Sequence, residues 1–90
     1  MKVVQGGVFA RTVKKLHKKE KSALDRAIKK IMSDPTIGAL KVGDLAGVRV
    51  YKFKIAVQPY LLGYQYDEGE AVLMLLALGS HENFYRDLKR

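Results

Sequence analysis

Cysteine and tryptophan are absent from these 90 residues, and proline appears only twice. Without cysteine there is neither a disulfide framework nor a thiolate metal site, and the absence fits a reducing compartment such as the cytoplasm. Acidic side chains are scarce, nine Asp and Glu against seventeen Lys and Arg. No apolar run is longer than Ala71–Leu78, eight residues where a spanning helix needs ~20. The opening MKVVQGG holds no apolar h-region, so it does not read as a secretory signal. Familiar catalytic patterns are missing too. There is no phosphate-binding glycine loop, no HExxH, no glycosidase-like pair of acids and no Ser-His-Asp set, and histidine occurs only at His17 and His81. What remains is one soluble domain over residues 1–90, with no metal, no cofactor and no membrane partner expected.

What the chain does have is positive charge, a formal +8, unevenly placed. Residues 1–35 carry ten basic and three acidic side chains, and residues 36–90 carry seven and six. Such an excess suits a polyanion, either nucleic acid or an acidic protein segment.

The hydrophobic spacing changes along the chain. Lys2, Val3 and Val4 open a short strand that Gly6 and Gly7 end. Phe9, Val13 and Leu16 then recur at helical steps, with Arg11, Lys14, Lys15, Lys18 and Lys19 around them. Leu24, Ala27, Ile28, Ile31 and Met32 follow a second helical stripe, capped near Ser22 and stopped at Asp34-Pro35. The pair predicts a helical hairpin turning near Lys18–Lys21. Residues 36–47 read as a loop. Val48–Ile55, Tyr60–Tyr66 and Ala71–Leu78 read as strands, the first two linked through Ala56–Pro59 and the last two by a turn in which Gly69 takes the left-handed conformation. Ser80–Arg90 is a polar tail or a short final helix. The order β-α-α-β-β-β places this chain in the α+β class. The hairpin should pack on one side of a small, mainly antiparallel, twisted sheet.

Period two in Val48–Ile55 sends Tyr51, Phe53 and Ile55 to one face and Lys52 and Lys54 to the other. Two ammonium groups so close favour the neutral form of one another and suit a phosphate chain. The same alternation also describes the wet side of any half-buried strand. Beyond the last strand, His81 and Tyr85 stand four apart and share one face of any helix that begins there. An imidazole, a phenol and two lysines suffice for metal-free RNA cleavage, in which a 2′-hydroxyl attacks its own phosphate. They equally describe a helix cap and a satisfied aromatic.

A resemblance narrows these alternatives. Leu45–Ile55, then Tyr60–Tyr66, a glycine-ended apolar strand and Gly79-Ser-His-Glu resemble the RelE/ParE toxins of type II toxin–antitoxin systems, with the RelE branch of mRNA interferases the nearest. The specific pieces are Tyr-Lys-Phe-Lys at 51–54 and the Tyr60–Gln65 run; Arg11–Leu16 matches at the level of fold. The resemblance implies that Lys52 and Lys54 act at the scissile phosphate, with His81 near a family arginine and Tyr85 near a family tyrosine. It implies RNA contacts from Arg49, Lys14, Lys15, Lys18 and Arg86. Leu61 departs from the pattern, because RelE carries a charge-stabilising arginine there; Arg49, Arg86 and Arg90 are the candidates to replace it. Implied partners are a cognate antitoxin, mRNA on the ribosome, and operator DNA through the antitoxin complex alone. A ParE-like toxin of DNA gyrase that cuts no RNA is the alternative.

Overall fold

The computed structural model describes residues 1–88, with every side chain among them except those of Glu82, Arg86, Asp87 and Leu88. The elements are β1 (Lys2–Gln5), α1 (Gly7–Lys14), α2 (Lys18–Ser33), β2 (Ala39–Leu40), a 3-10 turn (Gly43–Leu45), β3 (Arg49–Ile55), β4 (Gln58–Asp67), β5 (Val72–Ser80) and α3 (His81–Leu88). The strands form one sheet in the order β1-β5-β4-β3-β2. β1 runs parallel to β5, and the other neighbours are antiparallel. This is the expected α+β architecture, with a two-residue strand and a 3-10 turn added inside the segment read as loop.

The helical stripe of α2 is buried at Leu24, Ala27 and Ile31 and partly at Ile28, while Met32 at its end is exposed. Leu24, Ala27 and Ile31 are buried with Phe9 of α1 against Leu62, Tyr64, Leu73, Leu75 and Leu78. Each large side chain so buried stabilises the fold by about 1.5–3 kcal/mol. The helix starts four residues before Ser22: His17 is its N-cap, and the His17 N–H donates to Glu20 Oε1 at 2.8 Å. It ends at Asp34, whose carboxylate accepts from the Thr36 hydroxyl at 2.7 Å and the Thr36 N–H at 3.1 Å. Those two bonds hold the Asp34 carboxyl below its ordinary pKa.

Tyr64 ties the following loop to the core. Its hydroxyl donates to the Pro35 carbonyl at 2.7 Å and accepts the Gly38 N–H at 2.9 Å. A Cβ on residue 38 would lie 2.7 Å from that oxygen, so only glycine fits there. β2 then pairs with Val50 and Arg49 alone, which leaves the outer edge of β3 open from Tyr51 onward.

Both hairpin turns differ from the sequence reading. β3 and β4 are joined by Ala56 and Val57 only, and Pro59 lies inside β4 opposite Lys54. In a two-residue hairpin that second pair is the non-hydrogen-bonded kind, so the ring nitrogen of Pro59 points outward. β5 has already ended there, since its last partner is Tyr60. In the next turn Ala71, not Gly69, takes the left-handed backbone, with φ 53°. Helices were expected on one side of the sheet. α1 and α2 obey, but α3 covers the other face, where Phe84 is buried with Val48, Val50, Leu61 and Ala77.

Candidate functional site

Strand register decides which side chains meet. Lys52 pairs across to Leu61, and Leu61 to Gly79. Opposed residues in a ladder share a face. Leu61 packs under Phe84, so Lys52 stands on the face turned away from α1 and α2. Gly79 lies at the end of β5, and His81, two residues on, begins α3. The ladder therefore brings the first turn of α3 to the same end of the same face as Lys52. His81 is exposed there, as is Lys52. Its ring meets Tyr85 edge-on, with centroids 6.0 Å apart and planes at 74°. Tyr85 is half-buried, set perpendicular to Phe84 at 5.0 Å.

Lys54 is exposed and alternates onto the Lys52 face, but it also borders a groove on the helix side. That groove, of about 260 Å³, lies between α2 and β3 and is lined by Ala23, Arg26, Ala27, Lys30, Tyr51 and Phe53 besides Lys54. The cause is the open edge of β3, around which a long side chain can turn. Lys54 thus stands at the seam of two surfaces, whereas the sequence reading put it wholly beside Lys52.

The remaining candidates do not converge on this patch. Arg49 lies opposite Tyr64 in the register, on the helix side. Its Nη1 donates to the Gly38 carbonyl at 2.9 Å and the Thr36 carbonyl at 3.3 Å. Lys14, Lys15 and Lys18 are exposed at the junction of α1 and α2, again on the helix side. The expected contact of Arg86, and the substitute role of Arg90, lie outside the described residues. Leu61 is 5% exposed, a core position rather than a surface one. Among the described residues no group of three or more His, Cys, Asp or Glu is placed to hold a metal ion, and no helix is long and apolar enough to cross a membrane.

One residue that the sequence did not single out does reach the site. The ammonium of Lys41 sits 5.8 Å from the centre of the Tyr85 ring. The loop after β2 folds back through Gly43 and Gly47, at φ 71° and 89°. The Lys41 N–H then bonds the Val48 carbonyl at 2.8 Å. Two glycines bracketing the short run Asp44-Leu45-Ala46 were the available signal, but they do not tell where the reversed chain lands.

A helical pair on one face of a five-stranded mixed sheet, with Lys52, His81 and Tyr85 on the other, defines a small α+β protein. The family model of the ParE-like toxins of type II bacterial toxin–antitoxin systems matches residues 3–89, and the chain belongs to that family. Among solved structures, a chain of the toxin–antitoxin complex RelBE2 from Mycobacterium tuberculosis superposes with TM-score 0.74 at 18% identity, over 89% of this chain and 96% of that one. A chain of the intact Escherichia coli RelBE complex gives 0.72 at 18%, over 88% and 94%. The isolated E. coli RelE toxin gives 0.69 at 20%, over 88% and 82%. At such identities the likeness concerns the fold. No curated protein sequence matches the chain.

Proposed function

We propose that this toxin is a metal-independent endoribonuclease that cuts mRNA on the ribosome, in the cytoplasm, and so stops translation. The observation that carries the reading is the Lys52–Leu61–Gly79 ladder, which sets an exposed lysine beside the helix bearing His81 and Tyr85. In this mechanism Lys54 takes the proton of the 2′-hydroxyl as its oxygen bonds to phosphorus. Lys52 holds the negative charge of the five-coordinate phosphate. The bond from phosphorus to the 5′-oxygen breaks, and His81 gives that oxygen its proton. The products are a 2′,3′-cyclic phosphate and a free 5′-hydroxyl. Tyr85 orients the nucleotide by stacking on a base, the usual grip on unpaired RNA. The basic flank of Lys14, Lys15 and Lys18 follows ribosomal RNA. A cognate antitoxin with an acidic segment neutralises the charge, and operator DNA is met only through that complex.

Induced expression followed by mapping of mRNA 5′ ends tests the reading. A general acid or base contributes about 10²–10⁴ in rate. Cleavage should therefore fall by at least about 10² in His81→Ala and in the Lys52→Ala, Lys54→Ala double variant. Unchanged cutting in the double variant sinks it.

A second reading has its own observation. Leu61 is buried where the nucleases of the resemblance keep a cation, and Lys54 also borders the helix-side groove. Both suit a toxin that binds DNA gyrase without cutting RNA. Filamentation and a DNA-damage response with intact mRNA would select it.

A further inference from the structure

We propose that Lys41 is a phosphate-binding residue of the RNA site and supplies the cation that Leu61 cannot. The inference rests on the RNA-cleaving reading above and adds a residue to it.

Lys41 is only half-exposed, unusual for a lysine with no acidic partner among the described residues, so its place needs a cause. The loop provides it. The bond from the Lys41 N–H to the Val48 carbonyl fixes the backbone at 2.8 Å. The Val48 N–H closes the 3-10 turn on the Leu45 carbonyl at 3.0 Å, and Leu45 packs against the cluster that holds Phe84 and Tyr85. The side chain of Lys41 is thereby laid toward α3, with its ammonium 5.8 Å from the Tyr85 ring centre.

The ring attracts the cation but accepts no conventional hydrogen bond, so that contact uses none of the three ammonium N–H groups. Among the described residues no carboxylate pairs with Lys41, Lys52 or Lys54. Tyr85 touches His81 in turn, so the loop sets the Lys41 ammonium against the same helix that carries His81. Position 61 of β4 cannot supply a cation, because Leu61 lies beneath Phe84. A phosphate next to the nucleotide that meets Tyr85 would take the Lys41 ammonium.

The test is binding of a short single-stranded RNA with 2′-O-methyl groups, which has no attacking hydroxyl, to the full chain over a salt series. Lys41→Met keeps the stem against Tyr85 and removes only charge. It should bind several-fold more weakly at low salt, with the slope of log affinity against log salt reduced by about 0.7, one phosphate contact to a single strand. Lys41→Arg should restore both, and thermal melting should leave all variants folded. If Lys41→Met keeps the wild-type slope while the Lys52, Lys54 double variant loses it, the inference fails and the RNA reading stands. If the wild-type protein shows no salt-dependent binding, both fall together.

Discussion

Tyr64 is wholly buried, yet its phenol makes two hydrogen bonds that close the loop between α2 and β2. Tyr64→Phe leaves the Gly38 N–H and the Pro35 carbonyl without that partner. A loss of about 1–3 kcal/mol in denaturant unfolding is expected from the desolvated groups. pH gives a second handle. Burial raises the Tyr64 pKa above its usual 10.0. A raised acid contributes stability that is complete below the unfolded value and disappears as pH climbs through the folded one. Wild-type protein should therefore lose stability above pH 10.0, and Tyr64→Phe should lose less over the same window. An identical alkaline slope in both would refute the assignment. Leu61 poses the converse case. Restoring an arginine there would overfill a site packed by Val50, Ala77 and Phe84. Leu61→Arg should lower stability by about 1–3 kcal/mol from overpacking alone and should not increase RNA cutting.

At the scale of elements, Ala56 carries a left-handed backbone in the two-residue turn between β3 and β4, with φ 55°. That conformation costs a residue with a Cβ about 1–2 kcal/mol. Glycine removes the strain but loses more freedom on folding, so Ala56→Gly should gain at most about 1 kcal/mol, seen as a higher midpoint in urea. The same residue marks a limit of sequence reading. Hairpin turns announce themselves through Asn-Gly or Gly, and Ala-Val gives no such sign, so the link looked longer than it is. Where spacing carried the information, the reading held: Leu24, Ala27 and Ile31 are buried, and Lys52 is exposed. Failures arose where tertiary contact decides. The face chosen by α3 depends on Phe84 finding Val50 and Leu61. Nothing local signals that Lys41 lands on Tyr85 rather than in solvent.

The whole molecule carries +8 on 90 residues, and among the described ones no ion pair joins a cation to a carboxylate. A chain this size leaves about 40% of its unfolded surface in contact with water, so its stability margin is narrow and self-repulsion matters. The charge is concentrated, ten basic against three acidic side chains in residues 1–35, which form the helical layer and its approach. Salt shortens the reach of such repulsion from about 30 Å at 0.01 M to about 8 Å at 0.15 M. The thermal midpoint of the isolated chain should thus rise as sodium chloride is raised through that range. An acidic polypeptide should raise it further at low salt, because a ligand of the folded state stabilises by about 4 kcal/mol at a thousand times its dissociation constant. Added salt should then erase part of that gain while still helping the free protein. Opposite signs for free and complexed toxin are what a repulsive surface held in check by an anionic partner requires. A free-chain midpoint that falls with salt would mean that close-range attractions dominate, and the anionic partner would lose its physical basis.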